Sequence, residues 1–137
     1  MPLAGEQLTY GWALALCYHV GFRGKDLVTA VAVMCAESAR YTEAYHNNLD
    51  DEGHVASTDW GLFQINDHWH PDFEMPEGFN AIYNARYARK MWKDSGGFNP
   101  WAAYNSGAYK QFLPIVTEHW EKRRWESKVP NVEKRWG

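Results

Sequence analysis

The sequence predicts an α+β domain, mainly helical, with a small strand-and-turn insertion. Three observations lead there. Apolar residues recur at helical spacing near both ends of the chain and again past its middle. A polar stretch rich in Asn, Asp and Gly interrupts that rhythm between residues 41 and 66. The 137 residues suffice for one hydrophobic core but not two, so a single domain spanning 1–137 is expected.

The elements follow in order. Residues 6–20 read as a helix with Leu8, Trp12, Leu16 and Val20 on one face and Gly21 as its stop. A second helix is predicted from about Lys25 to Ala39, with Asp26 as the helix-start residue; its near-continuous apolar run DLVTAVAVMCAESA places it at the centre of the domain. Short strands are expected up to Asn66, joined by the turn chemistry of HNNLDDEGH at 46–54. Residues 67–78 are an irregular connection, and helix returns over about Asn80–Asp94 until SGGF breaks it. In NPWAAYNSGAY, Asn99 is a candidate N-cap and Pro100 a candidate first helical residue; another helix is predicted from Pro114.

Composition removes several classes of function. Net charge is −3, yet residues 118–137 carry +2, so the remainder carries −5. No basic stripe runs along the chain, which argues against nucleic acid, and the charged tail EKRRWESKVPNVEKRW reads either as a surface for an anionic polymer or as a solvated helix face. No run is long enough for a transmembrane helix. The first basic residue is Arg23, which does not fit a secretory leader; synthesis in a cytoplasm is therefore expected, with Cys17 and Cys35 as packed core thiols and a bridge as the alternative. The HWH at 68–70 invites a metal and the DDE at 50–52 a calcium ion. Neither has the accompanying ligand framework, so no metal or cofactor is expected. Eight Trp, eight Tyr and six Phe exceed what a core of this size needs, and exposed flat rings suit sugars.

One residue stands against its surroundings. Glu37 follows VAVMCA in the last turn of the most apolar helix, where desolvation and the negative end of the helix dipole both raise its pKa. A carboxyl that keeps its proton near neutral pH can serve as a general acid; the plainer alternative is a glutamate facing solvent at a helix end.

Three segments carry a resemblance: AES at 36–38, STDWGLFQIN at 57–66 and AAYNSG at 102–107. In this order they resemble the lysozyme superfamily, between the animal-type lysozymes and the soluble lytic transglycosylase-like domains. The resemblance implies a two-lobed lysozyme-like domain with a small β-hairpin region flanking a sugar-binding cleft. It implies cleavage of the β-1,4 bond between N-acetylmuramic acid and N-acetylglucosamine in peptidoglycan strands. Glu37 falls on the family's catalytic acid and Asp59 on the second carboxylate of the animal-type enzymes.

In the family, STDWGLFQIN forms one wall of the cleft. Asp59, Gln64 and Asn66 then point at substrate, Gly61 lets the backbone approach the sugar, and Ser57 assists by hydrogen bonding or simply forms a turn. Tyr104 and Asn105 match cleft-lining positions of the opposite wall. Trp69 and Trp101 are candidates to stack on sugar faces or to fill the core. The sequence departs from the family in its longer Glu37-to-Asp59 spacing, its lack of multiple disulfides, and ARYTEA in place of the transglycosylase Pro-Ala. Three readings follow: a muramidase of phage-lysin type, released by lysis or carried in a phage particle and acting as a monomer; a lytic transglycosylase; and a non-catalytic glycan-binding domain.

Overall fold

The computed structural model describes residues 2–137. Helices α1 (Tyr10–His19) and α2 (Gly24–Ser38) come first, followed by strands β1 (Tyr45–Leu49), β2 (Val55–Trp60) and β3 (Ile65–Asn66). Helices α3 (Ala81–Ser95), α4 (Ala102–Asn105), α5 (Leu113–Lys122) and α6 (Val132–Trp136) complete the chain, with 3₁₀ turns between them. The α+β, mainly helical reading of the sequence is what the structure shows.

The first helix begins later than its apolar pattern predicts. Leu8 donates its N–H to Arg40 O at 2.8 Å and Thr42 donates to Glu6 O at 2.9 Å, so residues 6–8 pair with the chain leaving α2 and cannot join a helix. Thr9 then caps α1, its hydroxyl accepting from the Trp12 N–H. The start of α2 is likewise displaced: Arg23 holds the cap position, and Asp26 sits inside the first turn, where it complements the dipole. From Leu27 to Cys35 every residue of α2 except Thr29 is buried, so this helix forms the centre of the molecule as its apolar run predicts.

Helix α2 ends on two left-handed residues, Ala39 and Arg40, with Ser38 as the brace. The buried Ser38 hydroxyl donates to Met34 O and accepts from the Arg40 N–H. Cys17 and Cys35 are both buried and free of a disulfide, and burial pushes both thiols upward in pKa.

The sheet is antiparallel in the order β1-β2-β3. His46, Asn47, Asn48 and Leu49 are strand rather than turn, because the two asparagines find cross-strand partners: Asn48 reaches Ser57 and Asp59, and Asn47 accepts from Thr58. The turn itself is confined to 50–54, where Asp50 Oδ1 accepts from the Glu52 and His54 N–H groups.

Three further expectations are corrected. Gly61 has φ +73, and a Cβ there would collide with Asn84 Nδ2 and Gly78 O; its bareness serves packing and not approach to a ligand. The buried Asn84 explains the pressure, accepting from Phe63 N–H and donating to Trp60 O and Gly78 O. Asn99 and Pro100 do not open a helix. The Trp101 indole is buried and bonded to Phe63 O at 2.9 Å, which holds Trp101 extended and delays α4 to Ala102. The tail past α5 is more than a solvated face, since Trp125 and Val132 are buried among the core residues.

Candidate active site

Glu37 lies in the last turn of α2, where the helix emerges from the core into a cleft of about 580 Å³. Its Oε2 accepts the backbone N–H of Ala103 at 3.3 Å, which ties the end of α2 to the start of α4. Burial pushes its carboxyl up to about 7, and the negative charge of Asp59 acts in the same direction. The Ala103 N–H opposes both. Glu37 is thus a group that exchanges its proton near neutrality, and Asp59 is close enough to feel.

Asp59 comes from β2, in register with His46 of β1 and Asn66 of β3. Both its oxygens are engaged: Asn66 Nδ2 donates to Oδ1 at 2.8 Å and Asn48 Nδ2 donates to Oδ2 at 3.2 Å. The same two amides each approach the Ser57 hydroxyl oxygen at 3.1 Å. The sheet builds this cluster directly. Ser57 and Asp59 are two residues apart and share a face of β2, while the neighbouring strands each contribute an asparagine opposite that face. These amide donors fix the orientation of the Asp59 carboxyl group.

Glu37, Ser57, Asp59, Gln64, Asn66, Trp69 and Trp101 all line this cleft. Trp69 is 75% exposed, an apolar plate offered to solvent, and the turn that presents it is held by Asn66 Oδ1, which accepts from the His68 and Trp69 N–H groups. Trp101 is 3% exposed, so it is floor and core rather than a stacking plate. Gln64 has φ +50 and its Nε2 donates to Ala44 O and Gly61 O; its amide braces the turn after β2 instead of reaching outward with both donors.

Tyr104 and Asn105 stand outside the lining. Tyr104 stacks on Tyr109 at 4.9 Å between ring centres, and Asn105 Nδ2 donates to Asn99 O at 2.9 Å. Their neighbours Pro100 and Ala102 form that wall.

Asn48, His70 and Met91 line the cleft without having been singled out from the sequence as substrate-facing. The signal for Asn48 was its place opposite Ser57, which only the register reveals. His70, read from the sequence as a metal candidate, packs edge-on against Tyr87, and burial lowers its pKa against the pull of Asp72. Among the described residues no group of three or more His, Cys, Asp or Glu side chains is placed to hold a metal ion.

Comparison with known proteins gives the family of this fold. The family model described as "Lysozyme like domain" matches residues 14–103, a span that contains Glu37, the sheet and Trp101. The kidney isozyme of lysozyme C from Ovis aries is 31% identical over 107 residues, covering 68% of this chain and 79% of its own length. The non-stomach isozyme of lysozyme C from Bos taurus is 30% identical over 106 residues, covering 67% of this chain and 69% of its own. Lysozyme C-1 from Sus scrofa is 29% identical over 100 residues, covering 63% and 73% respectively. With a helix-borne acid set against a sheet-borne carboxylate, and a family match that encloses both, the chain belongs to the lysozyme-like domain family, whose membership supports glycoside cleavage in general.

Proposed function

We propose that this chain cleaves the β-1,4 bond between N-acetylmuramic acid and N-acetylglucosamine in bacterial peptidoglycan, as a muramidase with Glu37 as general acid and base. The observation that carries the reading is the pairing of two unlike carboxyls in one cleft. Glu37 is half-buried and raised to about 7 by desolvation, whereas Asp59 is wrapped in amide donors. One carboxyl is desolvated and the other is held by amide donors, and such unlike surroundings are a basis for dividing acid and stabilising roles.

The steps follow from those surroundings. Glu37 gives its proton to the glycosidic oxygen, the bond from the anomeric carbon to that oxygen breaks, and positive charge develops on the sugar ring. Asp59 meets that charge as a carboxylate already oriented by Asn48 and Asn66, so little reorganisation is needed at the moment of reaction. Glu37, now deprotonated, draws a proton from water as that water closes the anomeric centre. Trp69 would offer its exposed ring to a sugar face beside the break.

A glycan-binding domain without chemistry is disfavoured because an apolar site that raises a carboxyl costs stability and adds nothing to sugar binding. The transglycosylase route differs in its second step, where the 6-hydroxyl of muramic acid replaces water. Mass spectrometry of the released fragments decides between the routes. Reducing-end muramic acid is expected, with Asp59→Asn about tenfold slower or worse, equal to ~1.4 kcal/mol of barrier. Fragments one water lighter, with Asp59→Asn near the parent rate, would make this a lytic transglycosylase. As its setting we propose release by lysis or carriage in a phage particle; retention of the protein inside intact producing cells throughout growth, with no lysis, would count against it.

A further inference from the structure

The cleft leaves unused a second cavity, of about 260 Å³, among the start of α1, the end of α5 and the 3₁₀ segment that follows. Its polar lining is Thr9, His119, Lys122, Arg124 and Lys128, with Trp125 beside them. It shares no lining residue with the catalytic cleft, and no carboxylate lines it.

Several cations elsewhere on the surface are held by carboxylates. Arg123 is gripped by Glu126, Arg86 by Glu133 and Arg135 by Glu6. Among the described residues, by contrast, neither Arg124 nor Lys128 has a carboxylate within ion-pair distance. Lys122 has only Glu118 one turn back at 3.1 Å, a half-exposed pair that holds weakly. Lys128 is also positioned: its stem lies over Gly11, where a Cβ would stand 3.1 Å from the lysine Cε, and its ammonium is 5.3 Å from the Trp12 ring centre. Two cations without a carboxylate partner among the described residues, Arg124 and Lys128, and the weakly paired Lys122 therefore converge on one concave site of a protein whose net charge is −3.

We infer that this cavity docks the phosphate groups of a polyol-phosphate polymer of the bacterial envelope, an inference that rests on the wall being the substrate. An anionic oxygen cluster matches a guanidinium fork and two ammonium groups, and charge-assisted bonds to it are stronger than neutral ones. A duplex nucleic acid fits less well. It needs a stripe of cations along many phosphates, and the acidic remainder of this surface would repel it. Docking here would keep the enzyme near its insoluble substrate between cuts, an effective-concentration gain that does not touch the chemistry.

The test uses the 137-residue chain carrying Glu37→Gln, so that cleavage does not obscure binding. Calorimetric titrations are run with inorganic pyrophosphate, with purified polyol-phosphate polymer and with duplex DNA, each at low and near-physiological salt. The polymer is expected to bind, with affinity falling as salt rises. Arg124→Gln with Lys128→Gln should weaken it about tenfold or more, while Lys93→Gln on α3 leaves it unchanged. If the double variant proves poorly folded by circular dichroism, the single reversal Lys122→Glu reads the same site. Polymer binding that ignores these changes, or DNA binding as tightly as the polymer, overturns the inference. A parent chain that binds polymer yet cuts no uncharged glycan oligomer instead overturns the muramidase reading, and the two failures stay distinct.

Discussion

Asn66 holds Asp59 with one end of its amide and the Trp69 turn with the other: Nδ2 donates to Asp59 Oδ1 at 2.8 Å, while Oδ1 accepts from the His68 and Trp69 N–H groups. A single side chain thus couples the carboxylate to the aromatic plate. Asn66→Ala should lower kcat about tenfold, because Asp59 loses the shorter of its two donors, and should raise KM as the Trp69 turn loosens. Steady-state rates on a defined glycan oligomer check both. A change in KM alone would detach Asn66 from the chemistry.

Glu37→Gln should reduce the rate by about 10²-fold or more, because the amide cannot deliver a proton. Its effect on stability runs the other way. The Glu37 carboxyl is raised from 4.5 to about 7 on folding, so the folded state favours its protonated form. That contribution is fully present below pH 4.5 and is lost as pH rises through about 7. Glutamine carries no such penalty. The variant should therefore exceed the parent in stability by roughly 1–3 kcal/mol at pH 8 and by little at pH 4. Thermal melts at the two pH values are the check, and parent activity should decline as pH climbs through about 7.

Trp69 and Trp101 should part company under mutation. Trp69→Ala removes a ring that is 75% exposed and should leave the melting temperature nearly unchanged while raising KM for glycan. Trp101→Ala removes a ring that is 3% exposed, together with its bond to Phe63 O, and should cost about 3–5 kcal/mol of stability. Equal losses of stability in the two variants would contradict these placements.

Gly61→Ala should destabilise the chain by about 2 kcal/mol or more. The residue has φ +73, and an added methyl would meet Asn84 and the Gly78 carbonyl, neither of which can retreat from a buried, fully bonded position. Chemical denaturation measures the loss. A neutral result would mean that the Asn84 network gives way more readily than its bonding indicates.

Some of this protein was legible in order along the chain because the cause was local. The near-continuous apolar run of α2 required burial on most sides, and SGGF after the periodic stretch 80–94 stopped α3, which ends in a left-handed cap at Gly96. Glu37 was conspicuous for the same reason: a carboxylate in an apolar helix is anomalous whatever surrounds it. The resemblance of STDWGLFQIN then supplied Asp59, which no periodicity could have singled out.

Other features depended on partners distant in sequence. Residues 6–8 have a helical pattern, yet Arg40 and Thr42 offer their backbone groups a pairing that α1 cannot match. Asn48 and Asn66 lie 18 positions apart, and only the strand register brings both amides onto Asp59. The indole of Trp101 has a cleft-facing sequence context, but Phe63 O captures its N–H and turns a candidate plate into floor. Local chemistry in the sequence determined which residues were costly to bury and where helices had to stop. Tertiary structure decided what satisfied each polar group, because a hydrogen-bond partner across a sheet or a core is set by how the chain closes on itself and not by spacing along it.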